Sequence, residues 1–391
     1  MAKWDWLENP SLLPTWGFML RVVFKAALLF ILLNVLFALI NPIEALGRVS
    51  LYNTVLPGRL RLPYGENASR SYSLSLNNIP VMFASHEISQ PKADAEYRVL
   101  MIGDSATWGW FLEPEDTLAA AINAGNYHIE DGRQIVAYNL GYPVMSLTKD
   151  LLLLDYAMRY EPDLIVWTFT LESFPREKQL FPAMVQHNPQ RVRDLITRYD
   201  LDLDVDDPRF VEADFLERTI VGQRRELADW LRLQVYGFSW AATGIDQFIP
   251  DNYERTAIDL PGDIAWNSQG WDGIAEPRDL TADDLAFDVL RAGIERAGDV
   301  PVLLVNEPML VSDGANSGIR YNAFFPRWAY DSYRVQLMDI AIENDWPLLD
   351  MWNSMPTTAF TDSPVHMTPA ATRQTTEAIM PYLLELANTR V

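Results

Sequence analysis

The stretch Val99-Leu100-Met101-Ile102-Gly103-Asp104-Ser105-Ala106-Thr107-Trp108-Gly109 decides the fold of this chain. A short apolar run followed at once by glycine is typical of a buried β-strand, and the residues after it predict a turn into a helix. A serine at the carboxyl end of such a strand lies where α/β sheets bind their ligands, and its hydroxyl can act as a nucleophile. The alternative is an ordinary serine in a β–α turn that caps the helix.

Composition excludes several classes of protein. The chain has 391 residues, of which 49% are hydrophobic, as is typical of a globular protein. A formal net charge of −22 argues against a nucleic-acid partner, because phosphate backbones attract basic surfaces. The chain has no cysteine, which excludes disulfides and thiolate metal sites. It has four histidines, no two of them spaced as metal ligands, so we expect no metal site.

An apolar segment over residues 16–41 predicts a single transmembrane helix through which the chain contacts the lipid bilayer. At about 1.5 Å per residue it is ~39 Å long, which exceeds the ~30 Å of a hydrocarbon core. Its two charges, Arg21 and Lys25, lie near its beginning, from where such side chains can reach the headgroups. Because the apolar core is long, we expect an uncleaved signal anchor rather than a cleaved signal peptide. Basic residues flank it on both sides, and we favour an extracytoplasmic globular part.

The sequence divides into four parts. Residues 1–15 are a short lead, residues 16–41 are the membrane helix, and residues 42–96 are a proline-containing juxtamembrane linker that we expect on the surface. Residues 97–391 form the globular domain. An insertion over 175–280 interrupts the alternation of strands and helices in this domain, and we expect it to cover one edge or the mouth of the sheet.

Strands alternate with helices along the globular part. Apolar runs predict further strands at 135–140, 164–169, 300–306 and 347–352, with helical patterns between them. Inside the insertion, an apolar stripe predicts a helix over 208–235. The alternation indicates right-handed β-α-β units and a parallel sheet.

Chemically suited residues follow several of these strands. Ser105 ends the first strand, Gly141 ends the second, and His366 precedes the last helix. The carboxyl ends of parallel strands meet at one crevice, so we expect these residues to lie close together. A serine, a histidine and an acid are the parts of an acyl-transfer site, in which the base takes the serine proton and the acid orients the imidazole. The amides of Ser105 and Gly141 are candidates for binding the oxyanion.

This order of motifs resembles the SGNH (GDSL-type) hydrolase family over roughly residues 97–175 and 300–390. Gly103-Asp104-Ser105 matches the first block of the family, and Asn139-Leu140-Gly141 matches the second. Ser363-Pro364-Val365-His366 lies where the family has Asp-x-x-His, whose histidine is the general base.

The resemblance implies a fold and an activity. The fold is a three-layer α/β/α sandwich, flavodoxin-like, whose five-stranded parallel sheet has the order 2-1-3-4-5. The activity is that of a serine esterase or acyltransferase that needs no cofactor. The members most similar in style are membrane-anchored proteins of bacterial envelopes, some of which act on acylated polysaccharides.

The third block departs from the family's pattern. It is normally Gly-x-Asn-Asp, whose asparagine donates to the oxyanion, whereas this chain has Thr170-Leu171-Glu172-Ser173. An ionised Glu172 accepts hydrogen bonds and repels developing negative charge, so it opposes catalysis unless burial keeps it protonated.

The last block departs as well. Asp362 stands four residues before His366, and Ser363 holds the usual three-residue position. A kink at Pro364 would still bring Asp362 to the imidazole, and Asp350 at the end of the fifth strand is another candidate orienter.

Two functions therefore stay open. In the first, an anchored esterase or acyltransferase acts on an O-acylated envelope substrate, with Ser105, His366 and Asp362 as its catalytic residues. In the second, the fold is kept but the chemistry has decayed. The protein is then a structural or accessory subunit of a larger membrane complex, with its span and its acidic surface as contacts.

Overall fold

The computed structural model describes residues 15–55, 58–64, 77–243 and 269–389. Apart from Thr15, the lead predicted at the amino terminus lies outside the described residues. So do parts of the predicted linker and of the predicted insertion.

A sheet of five parallel strands forms the centre of the described domain. Its strands are β1 (Glu96–Ile102), β2 (Gln134–Asn139), β3 (Leu164–Phe169), β4 (Val302–Asn306) and β5 (Leu348–Asp350). Their order is β2-β1-β3-β4-β5, and every pairing is parallel. The predicted order is therefore confirmed.

Helices cover both faces of this sheet. The α-helices of the described residues are α1 (Trp16–Ile40), α2 (Ile43–Gly47), α3 (Leu51–Val55), α4 (Ile79–Ser85), α5 (Ser105–Trp108), α6 (Leu118–Ala124), α7 (Leu147–Ala157), α8 (Ala183–Gln186), α9 (Pro189–Tyr199), α10 (Arg224–Thr243), α11 (Phe287–Ala297), α12 (Arg327–Glu343) and α13 (Pro369–Asn388). Residues of α7, α11 and α12 share one apolar cluster, and residues of α6 and α13 share the other.

Alternate residues of a strand pack against different helical layers. In β1, Leu100 and Ile102 join the cluster of α7, α11 and α12, whereas Val99 and Met101 join the cluster of α6 and α13. All residues of β1 and β3 are buried, as expected for parallel strands that are covered on both sides. The predicted three-layer sandwich is confirmed.

Part of the described stretch of residues 42–96 is buried, although we predicted a linker on the surface. All seven residues of α4 are buried. Arg61 is only 1% exposed, and its guanidinium donates to two backbone carbonyls at 2.9 and 3.1 Å and lies over the ring of Trp108. Because carbonyls and an aromatic face replace the water that the charge would lose, this stretch can belong to the core.

The helix that we predicted over 208–235 begins later, at the start of α10. Residues 208–209 and 215–223 form turns instead, and residues 210–214 are irregular. The carboxylate of Asp214 accepts from the amide of Glu217 at 2.7 Å, and the carboxylate of Glu217 accepts from the amide of Asp214 at 2.9 Å. This reciprocal pair is a capping box, which begins a helical turn at Asp214 and leaves the residues before it outside any helix.

The predicted helix near the amino terminus is confirmed as α1. It has 25 residues, and mean hydropathy reaches 2.6 in its most apolar window, so one helix of the described residues is long and apolar enough to cross a membrane. Thr15 caps it by accepting from the amide of Phe18 at 3.3 Å. Most of its large apolar side chains are exposed.

We predict that Gly293→Ala destabilises the domain. A Cβ on Gly293 in α11 would lie 2.1 Å from the buried ring of Trp167, which also donates to Asp150 and cannot move freely. We expect the free energy of unfolding to fall by about 1–3 kcal/mol, despite the better helix propensity of alanine. Urea denaturation of the full chain in detergent measures this. At Gly318 an added Cβ meets no atom within 4 Å, so Gly318→Ala is the control, and equal losses would contradict the prediction.

Candidate active site

A tight turn after β1 presents Ser105 at the start of α5. Asp104 accepts from the amide of Ala106 at 2.7 Å and fixes the turn. Gly103 has to be a glycine, because a Cβ there would lie 2.1 Å from the hydroxyl of Thr168. Among the described residues, the Ser105 amide has no hydrogen-bond acceptor. This amide is therefore available to a ligand.

Ser105, His366 and Asp362 form a continuous hydrogen-bonded chain. The Nε2 atom of His366 lies 2.8 Å from the Ser105 hydroxyl oxygen, and its Nδ1 lies 2.7 Å from Asp362 Oδ1. In this arrangement the imidazole can take the hydroxyl proton while the carboxylate holds the ring orientation.

The conformation of the loop that ends at His366 explains how Asp362, four residues before the histidine, reaches its imidazole. The amide and the hydroxyl of Thr361 both donate to the carbonyl of His366, at 2.8 and 3.1 Å, and close a loop over residues 361–366. The carbonyl of Pro364 accepts from Leu310 at 2.7 Å, which fastens the loop to the segment after β4. Asp362 therefore faces the imidazole across the loop.

Trp110 contacts both Ser105 and His366. Its amide donates to the carbonyl of Ser105 at 2.9 Å, and its ring stacks on the ring of His366 at a centroid distance of 5.8 Å. Stacking restricts rotation of the imidazole, so Trp110 positions the base relative to the hydroxyl.

Asp350, the other candidate orienter, is engaged elsewhere. Its carboxylate accepts from Arg334 at 2.6 Å and from Asn306 at 2.7 Å. These partners fix it at the end of β5, so the carboxylate that contacts the imidazole is that of Asp362.

The amide of Gly141, a predicted oxyanion donor, already has a hydrogen-bond acceptor in this structure. That amide donates to the side-chain oxygen of Asn139 at 3.0 Å, so an oxyanion would have to displace this bond. Gly141 is needed for another reason, since a Cβ there would lie 2.4 Å from the amide of Trp108. The glycine lets the loops after β1 and β2 approach closely.

Glu172 is paired with a lysine that sequence reasoning missed. Lys178 Nζ lies 2.5 Å from the Glu172 carboxylate and 2.8 Å from that of Asp272. Burial raises the pKa of Glu172, and the ammonium opposes this rise. Burial would lower the pKa of Lys178, but its hydrogen bonds with Asp272 and Glu172 outweigh it and raise the pKa.

A cavity of about 730 Å³ opens over the serine. Ser105, His366 and Glu172 line it, together with the apolar side chains of Met145 and Trp271. Its walls include residues from both described parts of the predicted insertion. That insertion therefore does reach the mouth of the sheet. The size and lining suit an acyl group or a small ester.

A buried charged cluster lies beneath the serine turn. Lys149 is fully buried, and its Nζ donates to the carbonyls of Gly103 and Tyr142 at 2.8 and 2.7 Å. It also lies 2.6 Å from the carboxylate of Asp150, whose pKa burial raises to about 6. Burial, followed by the charge of Asp104, raises the pKa of Glu307 well above its ordinary value.

Sequence reasoning missed Lys178, Asp272, Trp110, Lys149 and Glu307. Of these five, only Lys178 lies close in sequence to a predicted site residue, six residues after Glu172. Among the described residues, no group of three or more potential side-chain ligands is arranged to hold a metal ion.

Comparisons with known proteins give structural likeness only. No protein-family model matches the chain, and no curated protein matches it. A member of the lipolytic G-D-S-L family from Veillonella parvula covers 73% of this chain and 96% of its own, with 11% identity and a TM-score of 0.34. A carbohydrate acetylesterase family member from Sinorhizobium meliloti covers 74% and 98%, with 14% identity and a TM-score of 0.32. An aryl esterase from M. smegmatis covers 74% and 99%, with 13% identity and a TM-score of 0.33.

At such identities and TM-scores the likenesses carry no argument about activity. The strand order of this chain is that of flavodoxin-like α/β/α sandwiches, and Ser105 follows β1 while His366 precedes α13.

We predict that Glu307→Gln changes how stability depends on pH. The raised pKa means that the native state binds the proton of the Glu307 carboxyl more tightly than the unfolded chain does. The free energy of unfolding therefore begins to fall once the pH rises above 4.5, the ordinary pKa of this carboxyl group. The loss is at most about 1.4 kcal/mol per pH unit. Without the titrating group, the free energy of unfolding should fall less steeply from about pH 5 to pH 8.

Urea denaturation of the full chain at several pH values measures this slope. Glu295→Gln, an exposed position of α11, is the control and should keep the native slope. A Glu307→Gln slope equal to the native one would contradict the prediction.

Proposed function

We propose that this chain is a membrane-anchored serine esterase or acyltransferase of the SGNH type that acts on an O-acylated envelope substrate. The observation that carries the proposal is the hydrogen-bonded chain from Ser105 through His366 to Asp362, which faces an open cavity. In a site that had lost its activity, nothing would keep these three side chains hydrogen-bonded to one another, least of all where Asp362 stands four residues before His366 instead of three.

The proposed reaction is an acyl transfer in two steps. His366 takes the proton of Ser105 as the hydroxyl oxygen attacks the ester carbonyl, and it then protonates the leaving alcohol. Water or a second hydroxyl, deprotonated by the same imidazole, releases the acyl group from Ser105. Asp362 keeps Nδ1 protonated and stabilises the imidazolium that forms in each step.

The weak point of the proposed site is its oxyanion hole. Within the part of the chain that the structure describes, the Ser105 amide has no acceptor, whereas the Gly141 amide already donates to Asn139. Glu172 stands at the third-block position, and Lys178 compensates its charge. We therefore expect slow turnover compared with a hole of three free donors, each of which is worth about 10²–10³-fold in rate.

The proposed anchor is α1. Its length and hydropathy support a membrane span, and its exposed apolar surface favours lipid contact over burial in this chain. We place the domain outside the cytoplasm, because an O-acylated envelope polymer would be reached there.

A second candidate function is a structural subunit of a membrane complex without catalytic activity. The carboxylate of Glu172 and the engaged amide of Gly141 favour it, because both weaken oxyanion binding.

We predict that a fluorophosphonate probe labels the full chain and that Ser105→Ala abolishes the labelling. The paired His366 makes the Ser105 oxygen nucleophilic, so this variant should also lower kcat/KM for p-nitrophenyl acetate by about 10³-fold or more. Ser363→Ala is a matched control, because Ser363 lines the same cavity and should keep the labelling. Absence of labelling in the native chain, with co-purification in fixed stoichiometry, would favour the subunit.

We predict that Glu172→Asn raises kcat for p-nitrophenyl acetate by at least about tenfold and changes KM little, because an amide donor replaces a carboxylate only where the oxyanion forms. Glu172→Ala removes the charge without adding a donor, so its gain should be smaller. A lower kcat for Glu172→Asn than for the native chain would show that the carboxylate assists the reaction.

A further inference from the structure

The insertion contacts the second half of α1. The amide of Val221 donates to the side-chain oxygen of Asn34 at 3.3 Å, and the side-chain nitrogen of Asn34 donates to the carbonyl of Phe30 at 2.9 Å. Asn34 is only 8% exposed, although most large apolar side chains of α1 are exposed. The turns around Val221 therefore lie alongside the helix rather than beyond its end.

This contact lies at the depth of the hydrocarbon core if α1 spans a membrane. At about 1.5 Å per residue α1 is ~37 Å long, so it extends ~4 Å beyond each side of a hydrocarbon core of ~30 Å. Asn34 is six residues, or ~9 Å, before the last residue of α1, and hence ~5 Å below the boundary. Elements that lie in the bilayer interface bury their apolar side chains to about this depth, and the oxygen of Asn34 satisfies the Val221 amide there.

The same segment carries an exposed apolar surface. Leu216 is 72% exposed and Val235, in α10, is 67% exposed. A cavity of about 480 Å³ with apolar walls separates the turns from α1. Further exposed apolar side chains of this surface are Phe215, Val221, Leu231, Tyr236 and Phe238. Of these, Phe215, Leu216 and Val221 lie beside apolar side chains of α1 around the same cavity.

The basic side chains of this segment and its attachment to the chain near α1 are consistent with a position at the lipid headgroups. Residues 215–243 contain four arginines and three acidic residues, in a chain whose net charge is −22. The excess of basic side chains in this segment suits anionic phospholipids better than the rest of the chain does. Gln234 attaches α10 to the segment after α1, since it donates to the carbonyl of Val49 at 2.8 Å and accepts from the amide of Leu51 at 2.7 Å.

We infer that residues 215–243 form a second membrane-contacting element, which lies in the bilayer interface beside α1 and binds phospholipid. Acyl chains cover its apolar side chains, and the arginines contact phosphate groups. The inference rests on the proposed anchoring through α1 and is independent of the proposed catalysis.

The absence of cysteine from the chain allows a direct test. Single cysteines at Leu216 and Val235 carry an environment-sensitive fluorophore, and the full chain is reconstituted in phosphatidylcholine–phosphatidylglycerol vesicles that contain lipids with quenchers on the acyl chains. Leu29→Cys, in α1, is the positive control, and Ile342→Cys, an exposed position of α12, is the negative control.

We expect Leu216→Cys and Val235→Cys to be quenched at least half as strongly as Leu29→Cys, and Ile342→Cys to be unaffected. If both behave like Ile342→Cys while Leu29→Cys is quenched, this inference is wrong and the anchor stands. If Leu29→Cys is not quenched either, the anchor itself fails. Protection from aqueous thiol reagents in native membranes without lipid quenching would assign the surface to a protein partner and would also overturn the inference.

Discussion

The structure of the site depends on the buried ammonium of Lys149. It donates to the carbonyl of Gly103, after β1, and to the carbonyl of Tyr142, after β2, and it lies beside Asp150. A buried ammonium without partners would cost several kcal/mol, so the two carbonyls must face it. The amide of Tyr142 also donates to Gly103 at 3.0 Å. Together these bonds hold two strand ends at a fixed separation and thereby set the turn that presents Ser105.

The parts of the fold that follow from local pattern and topology could be predicted from the sequence. Apolar runs located the strands, and the rule that parallel strand ends converge brought Ser105 and His366 together. The acceptor of the Gly141 amide could not be predicted, because it depends on one rotamer of Asn139. The burial of Arg61 could not be predicted either, since its carbonyl partners lie 48 and 51 residues away along the chain.

The charge at the third block depends on residues outside it. A lone carboxylate about 5 Å from an oxyanion costs about 3 kcal/mol at an effective dielectric constant of about 20. An ammonium about 2.5 Å further away offsets roughly two-thirds of this cost. The ion pair of Glu172 with Lys178 therefore makes the altered block less damaging than its sequence suggests. Asp272, more than ninety residues further along the chain, forms a second ion pair with the Lys178 ammonium. The charge at the third block therefore depends on residues of the insertion.

The insertion also determines how an anchored chain would present its serine. Its first part packs Met184 and Leu195 into the main core and supplies Lys178 to the cavity. Its later part is bonded to α1 through Asn34 and to the segment after α1 through Gln234. These bonds restrict how the domain can move relative to α1. If α1 spans a membrane as proposed, the same contacts set the distance from Ser105 to the bilayer.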